Sequence, residues 1–102
     1  MLSHDVYFTL NDASPEAIDH LVRSCHANLK GYPGVDFFAA GVLAEDCKRD
    51  VNDRDFQVAL QMVFRDKAAH DAYQISESHQ KFIADNKANW KQVRIFDAYV
   101  EG

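Results

Sequence analysis

The chain has 102 residues, 47% of them hydrophobic and 26% charged, which suits one domain over residues 1–102 with a single modest core. The net charge of -5 and the lack of any lysine or arginine cluster argue against nucleic acid as a partner. The N-terminal segment lacks the basic region and apolar run of a secretion signal, and no apolar stretch approaches the roughly 20 residues of a membrane span. We therefore expect a cytoplasmic protein that does not bind membranes. Cys25 and Cys47 lack a CxxC spacing, and both are expected to be free thiols.

The first third of the chain predicts a strand followed by a helix. From His4 to Leu10 the residues alternate with the two-residue period of a strand. The side expected to face the helices carries His4, Val6, Phe8 and Leu10. Ser14 is a suitable N-cap and Pro15 suits the first helical position, so a helix begins there. Its apolar positions recur at helical spacing until Gly31, which is placed to end it.

The rest of the chain predicts three strands and two helical segments. The segment "VDFFAAGVLAE" is rich in strand-forming residues, and a charged loop separates it from the alternating strand "DFQVALQMVF". The apolar face of that strand is expected to carry Phe56, Val58, Leu60, Met62 and Phe64. A short helix is predicted in "RDKAAHDAYQ", and a second helical segment, capped by Ser76, in "SESHQKFIADNKANW". The last strand is "KQVRIFDAYV", in which Val93, Ile95, Asp97 and Tyr99 share one side.

This order of elements predicts an α+β fold of ferredoxin-like type. The sequence β-α-β-β-α-β is a split βαβ unit, which places both helical segments on one face of a four-stranded antiparallel sheet. The other face would carry apolar residues such as Tyr7, Phe96 and Val100, too many to leave in water as one patch. We therefore predict a homodimer formed through the sheet face that carries no helices.

Three polar side chains are candidates for chemistry: Tyr73, His79 and His4. The break "QISE" between the two helical segments lets Tyr73 and His79 approach a common space above the sheet, toward which His4 also points. In the first turn of a helix capped by Ser76, His79 would stay neutral and could act as a general base, while a phenol can hold a carbonyl or enolate oxygen. The alternative is that all three are core residues with satisfied polar tips, which the residues alone favour.

The sequence predicts no metal site and no cofactor. His20 and His26 lack the i+4 spacing of a helical ligand pair, and the acidic segment "EDCKRDVNDRD" lacks the register of a calcium-binding loop. No glycine-rich phosphate loop and no nucleophile elbow are present.

Five segments, in this order, carry a resemblance that covers essentially the whole chain: "HDVYFTL", "PGVDFFAAG", "RDFQVALQMVFRD", "DAYQISESHQKF" and "WKQVRIFDAYV". They resemble the stress-responsive α/β-barrel (Dabb) family, which implies two ferredoxin-like sheets meeting in a homodimeric α/β barrel. Function in that family is mostly unassigned. One plant member is a polyketide cyclase that uses a tyrosine and a histidine without a cofactor, and the matching positions are Tyr73 and His79.

The resemblance also implies the rest of a pocket. A pocket histidine on the first strand matches His4, whereas a further pocket histidine of the cyclase falls on Val58, so the chain departs from the pattern there. The implied hydrophobic lining comprises Val6, Phe8, Leu21, Val22, Leu60, Met62, Phe82, Trp90, Val93 and Ile95.

Three functions follow as hypotheses. The first is a small binding or stress-protective dimer with an apolar pocket for a small apolar or carbonyl ligand. The second is a cofactor-free cyclase or lyase acting on a carbonyl or polyketide-like substrate, with a histidine base and a tyrosine. The third, less favoured by the resemblance, is a monooxygenase-like activity. A cavity of at least ~300 Å³ that reaches Tyr73 and His79 would favour binding or catalysis, and a sealed core would favour packing.

Overall fold

The computed structural model describes residues 1 to 102 and contains four strands and three helices. The strands are β1 (Leu2–Leu10), β2 (Val35–Val42), β3 (Val58–Phe64) and β4 (Trp90–Tyr99). The helices are α1 (Pro15–Leu29), α2 (Lys67–Gln74) and α3 (Glu77–Asn86), and a short 3-10 turn at Lys87–Asn89 leads into β4. The predicted order of elements is confirmed, with the second helical region divided into a short helix and a longer one.

The strands form one antiparallel sheet in the order β2-β3-β1-β4. The first strand therefore lies inside the sheet, and His4 faces Met62 on one neighbour and Asp97 on the other. Alternate residues of β1 are buried under the helices, as the two-residue period predicts. The α+β, ferredoxin-like fold is confirmed.

Side-chain caps fix where each helix begins. The Ser14 hydroxyl accepts a hydrogen bond from the Ala17 amide, with Pro15 at the first helical position. The Asp66 carboxylate accepts from the Ala69 amide at 2.9 Å and begins α2. Each cap satisfies one of the backbone N–H groups that a helix start leaves without a partner. Gly31, at φ 81°, follows the end of α1 as predicted.

Gly34 brings the start of β2 against α2. Its φ of 87° lies in the left-handed region that glycine adopts freely. A Cβ atom at this position would lie 2.5 Å from the Cβ of Ala69, which is closer than two carbon atoms can approach. The missing side chain therefore sets how closely α2 lies to the sheet.

One hydrophobic core fills the space between the helices and the sheet. It comprises Leu2, Val6, Phe8, Leu10, Leu21, Val22, Cys25, Leu29, Val58, Leu60, Met62, Phe64, Tyr73 and Phe82. Among the few buried polar residues, Asn86 of α3 donates to the Ser24 hydroxyl of α1 and to the Phe82 carbonyl, both at 2.8 Å. This side chain ties the two longer helices together because a buried amide needs partners.

The prediction that Phe56 faces the core is wrong. The strand β3 begins at Val58, and the Phe56 ring instead lies 4.9 Å from the ring of Tyr7, on the sheet face that carries no helices. The reason lies in the backbone just before the strand. The Asp55 carbonyl accepts from the Thr9 hydroxyl at 2.8 Å, and the Gln57 amide donates to the Phe8 carbonyl at 2.9 Å. These bonds hold residues 55–57 against the end of β1, outside the regular ladder that begins at Val58, so the alternation of β3 does not extend to Phe56.

The sheet face without helices is apolar and open. Phe37 is 52% exposed and Phe96 is 54% exposed on this face, beside Tyr7 at the centre. Val100, predicted here, lies just beyond the end of β4. None of the helices has the length and apolar character needed to cross a membrane.

Replacing Met62 tests the assigned core. Met62 has no exposed surface and lies in β3 between the helices and the sheet, so Met62→Ala should lower the free energy of unfolding by about 2–5 kcal/mol. Urea denaturation measures the difference. Arg23→Ala is the control, because this exposed residue makes only a weak ion pair with Asp19 at 3.6 Å and should cost less than about 1 kcal/mol. Equal losses in the two variants would mean that the facing of β3 is assigned backwards.

Candidate functional site

The break between α2 and α3 brings Tyr73 and His79 together. Tyr73 lies in the last turn of α2 and His79 in the first turn of α3. The hydroxyl of Ser76 donates to the Tyr73 carbonyl at 2.7 Å and accepts from the His79 amide at 3.2 Å. One side chain thus fixes both sides of the turn, and the phenol and imidazole ring centres lie 4.6 Å apart.

The imidazole of His79 is a neutral base with one nitrogen free. Its Nδ1 lies 3.0 Å from the Gln74 carbonyl oxygen, which can only accept, so Nδ1 carries the hydrogen. Burial lowers the pKa of His79, and the nearby His4 and His70 lower it further, while the bond to the Gln74 carbonyl opposes them. The ring is therefore uncharged near neutral pH, with the lone pair on Nε2.

The phenol of Tyr73 is a protonated donor. Only 1% of Tyr73 is exposed, and burial raises its pKa well above the ordinary value of a phenol. The hydroxyl therefore keeps its hydrogen and can donate to an oxygen, but it does not act as a phenolate. Burial likewise raises the pKa of the nearby Cys25 thiol to about 12, so that thiol is not a nucleophile.

His4 forms a pair with Asp97 on the neighbouring strand. The two residues are opposite one another in the register of β1 and β4, and Nδ1 of His4 lies 2.5 Å from Oδ1 of Asp97. Since a carboxylate accepts, Nδ1 donates, and in the neutral ring Nε2 then carries the lone pair. Asp97 is an acidic residue on the apolar side of β4, which it shares with Val93 and Ile95. This signal could have identified Asp97 as a candidate, although no role was predicted for it from the sequence.

A cavity of about 190 Å³ joins these three polar groups. It is lined by His4, Val6, Phe8, Leu60, Tyr73, Gln74, His79, Phe82, Ile83, Trp90, Val93 and Ile95. Ile95 is 54% exposed and lies at the rim, on the side of the edge strand β4. Ten of the residues that the sequence singled out therefore meet around one space.

Leu21, Val22 and Met62 do not line this cavity. All three are buried in the core, and the two helical residues face other surface hollows instead. Val58, where the resemblance implied a missing histidine, is fully buried as well. A hydrophobic position on an inward face borders the cavity only if it lies near the α2–α3 turn, and α1 packs elsewhere.

The cavity reaches Tyr73 and His79 but, at about 190 Å³, falls short of the ~300 Å³ that was expected to favour binding or catalysis and that a drug-sized ligand requires. Its 190 Å³ exceeds the roughly 150 Å³ that holds a benzene ring in an apolar protein cavity. An occupant is therefore limited to about one ring with a small substituent.

Three larger hollows lack this convergence of groups. A groove of about 970 Å³ runs between α1, the end of β2 and the loop after it, and is lined by apolar residues and by charges such as Arg23 and Asp46. A hollow of about 410 Å³ lies on the helix-free sheet face beside Tyr7 and Phe96. A third, of about 270 Å³, lies between α1 and the end of α3, and its one histidine, His20, is exposed. None of the three places a buried imidazole beside a buried phenol.

The model of the stress responsive A/B barrel domain (Dabb) family matches residues 2–100. The chain belongs to the Dabb family. The resemblance stated from the sequence is thereby confirmed. No curated protein sequence matches this Dabb domain significantly.

Solved structures show the same fold at low sequence identity. A Dabb family protein from Mesorhizobium loti is 23% identical, with a TM-score of 0.78, and 99% of this chain and 97% of that chain are covered. A dimeric ferredoxin-like protein of unknown function from Thermobifida fusca is 14% identical, with a TM-score of 0.78 and coverage of 97% and 90%. A hydroxynitrile lyase from Passiflora edulis is 18% identical, with a TM-score of 0.76 and coverage of 98% and 93%.

The titration of His79 tests the buried neutral imidazole. The pKa of His79 is lowered below the 6.5 of an ordinary histidine, so the unfolded chain binds more protons as the pH falls. The contribution of His79 to the free energy of unfolding is therefore complete above about pH 6.5 and is lost as the pH falls toward the lowered pKa. Ring NMR signals, assigned by their loss in His79→Gln, should titrate below pH 6.5. A midpoint at or above that value would contradict the assignment.

Proposed function

We propose that this Dabb domain is a small homodimeric protein that binds a mainly apolar small molecule carrying one carbonyl oxygen. The observation that carries the proposal is the cavity between α2, α3 and the sheet, in which Tyr73, His79 and His4 meet inside apolar walls. Few polar groups set in an apolar cavity are typical of ligand sites, because the walls give affinity and the polar groups give orientation. The free thiols of Cys25 and Cys47 suit a cytoplasmic location.

The polar groups define the ligand. The Tyr73 hydroxyl supplies a hydrogen-bond donor, while Nε2 of His79 and Nε2 of His4 supply acceptors, because both Nδ1 atoms are held by other groups. In the proposed ligand, a carbonyl oxygen accepts a hydrogen bond from the Tyr73 hydroxyl. A hydroxyl or an acidic C–H group of the same molecule faces the imidazole of His79 or His4. The aromatic walls of Phe8, Phe82 and Trp90, with ring centres 5.1 to 6.2 Å apart, suit an aromatic or unsaturated ring.

Binding of one-ring carbonyl compounds tests this proposal. Trp90 lines the cavity and is the sole tryptophan of the chain, so its fluorescence should change when benzaldehyde or acetophenone binds. Tyr73→Phe and His79→Gln should each weaken binding by about tenfold, since each removes a hydrogen bond made inside a dry cavity. Melting temperatures should stay nearly unchanged.

Matched control variants separate binding from packing. Tyr32→Phe removes a hydroxyl from a tyrosine whose ring packs 5.6 Å from that of Tyr73 but lies outside the cavity, and His26→Gln changes a histidine that packs on Phe38. Both should bind the test compounds like the wild type. If no compound binds the wild type and Tyr73→Phe and His79→Gln melt far below it, these residues serve the core and the binding proposal is wrong.

A second candidate is a cofactor-free cyclase or lyase. It is favoured by one observation: burial makes His79 an uncharged base and keeps Tyr73 protonated, so the two neighbouring groups have opposite roles. In such a reaction, Nε2 of His79 removes a proton from a hydroxyl or from a carbon beside a carbonyl. The Tyr73 hydroxyl stabilises the developing negative charge on the oxygen, and the His4–Asp97 pair positions the substrate.

The hydroxynitrile lyase similarity fits this candidate, since that protein shares the fold. Turnover of the same test compounds, followed by mass spectrometry, distinguishes an enzyme from a binding protein. An enzyme loses turnover in His79→Gln by at least about a hundredfold even at saturating substrate, as loss of a general base does. Binding without turnover in the wild type would remove this candidate.

The homodimer is proposed to form through the helix-free sheet face. Phe37 and Phe96 are each more than half exposed there, and Tyr7 packs between Phe56 and Phe96 with ring centres 4.9 and 5.8 Å away. The ion pair of Arg94 with Asp53 lies on the same face, because Arg94 is opposite Tyr7 in the register of β1 and β4. Clustered aromatic residues and arginine are typical of protein interfaces, and the Thermobifida fusca protein with the same fold is described as dimeric.

Sedimentation of Phe96→Glu tests the interface. Wild-type protein at micromolar concentration should sediment as a dimer, and the variant should shift toward monomer, because a carboxylate in an apolar interface is not solvated. Ile75→Glu is the control, since this residue is 76% exposed in the α2–α3 turn on the other side of the molecule. A wild type that sediments only as monomer, or an equal shift in the control, would contradict this interface.

A further inference from the structure

A second cluster of polar side chains includes His4 and lies beside a separate surface hollow. His4 of β1, His70 of α2 and Asp97 of β4 each offer one ligand atom, and these atoms all lie within 4.8 Å of one another. The imidazole rings of His4 and His70 have centres 5.1 Å apart. We propose that these three side chains form a binding site for a divalent transition metal ion, with zinc as the ion to test.

The donor set suits such an ion. Two imidazole nitrogens and one carboxylate oxygen are ligands that zinc, cobalt and iron accept, and three protein ligands leave a further position open. Ligand bonds of about 2.1 Å in tetrahedral geometry place ligand atoms roughly 3.3 Å apart. The cluster lies close to that spacing: the His4–Asp97 contact of 2.5 Å must widen, and the longest separation of 4.8 Å must shorten.

The surroundings allow this adjustment. The Asp97 side chain is 45% exposed and can turn, whereas His4 is held in the core with 4% of its side chain exposed. The His70 ring packs on Phe64 with centres 5.4 Å apart, and Asp71 accepts from its Nδ1 at 3.1 Å. A carboxylate on one nitrogen of a histidine orients the other nitrogen for a metal. Nε2 of His70 lies 3.3 Å from Nε2 of Gln74 and would give up that contact to bind the ion.

Solvent reaches the cluster from the protein surface. A hollow of about 140 Å³, lined by Leu2, Lys67, His70, Asp97, Ala98 and Tyr99, opens beside it. This hollow offers an entry path and room for a water or anion at the fourth position. The charge of Lys67 does not oppose a cation there, because its amine is paired with Asp71 at 2.8 Å.

Metal binding would reverse the hydrogen-bonding role of His4 in the cavity. Paired with Asp97, the ring carries its hydrogen on Nδ1 and presents a lone pair at Nε2. With the metal on Nδ1, the hydrogen must move to Nε2, which then donates into the cavity. The ion would thus convert one acceptor of the ligand site into a donor. This consequence rests on the proposed ligand site, whereas the metal site itself does not.

Titration with cobalt and zinc tests the metal site directly. Wild-type protein should bind one Co²⁺ per chain, with the intense visible absorption of a four- or five-coordinate ion, and Zn²⁺ should displace it. His70→Gln and Asp97→Asn should each weaken Zn²⁺ binding in calorimetry by at least tenfold. His26→Gln, a histidine outside the cluster, should bind like the wild type, and the two site variants should keep the circular dichroism of the wild type.

The outcomes separate the metal site from the ligand cavity. Because His70 does not line the cavity, His70→Gln without added metal should bind the carbonyl test compounds as the wild type does. Absence of saturable Co²⁺ binding, or affinity unchanged in both His70→Gln and Asp97→Asn, would overturn the metal site while leaving the ligand proposal intact. Loss of Zn²⁺ binding in His26→Gln alone would show that the ion binds elsewhere and would also overturn it.

Discussion

The placement of every helix on one side of the sheet determines the rest of this structure. Burial of apolar surface drives that packing, and it divides the sheet into a face that forms the core and a face that is left open. The covered face is not filled completely, because α2 is short and the chain turns at Ser76 before α3 begins. The cavity occupies the space left under that turn. The uncovered face leaves Phe37 and Phe96 exposed, and it is the face through which we propose that the dimer forms.

The polar groups of the cavity share one arrangement. His79 and His4 each have Nδ1 held by a hydrogen bond, one to the Gln74 backbone carbonyl and the other to the Asp97 carboxylate. A neutral imidazole has one donor and one acceptor, so holding the donor fixes the acceptor. The orientation of both rings is therefore set by contacts within the protein. In the ligand site proposed above, neither imidazole would need to rotate to present its lone pair.

Periodicity in the sequence predicted the elements well but not which inward residues would border a cavity. The alternation of β1 and the caps at Ser14 and Ser76 depend on neighbouring residues, and the structure agrees with them. The error at Phe56 arose because the apolar alternation in the sequence already begins at Phe56, whereas the regular strand β3 begins only at Val58. Leu21 and Met62 were wrongly predicted to line the cavity. The position of a cavity depends on where the helices leave a gap above the sheet, which periodicity in the sequence does not show. The pairing of His4 with Asp97 joins residues 93 positions apart and required the register of two strands.

The close approach of Gly34 to Ala69 links a loop to the dimensions of the cavity. Tyr73 is one helical turn beyond Ala69, on the same side of α2, so any displacement of α2 at Ala69 moves the phenol as well. A larger side chain at position 34 would lift the helix away from the sheet and enlarge the space beneath it. A glycine at position 69 would let the helix settle lower and shrink that space. The volume of the cavity can therefore change during evolution through substitutions at two positions that do not line it, while Tyr73, His79 and His4 are kept.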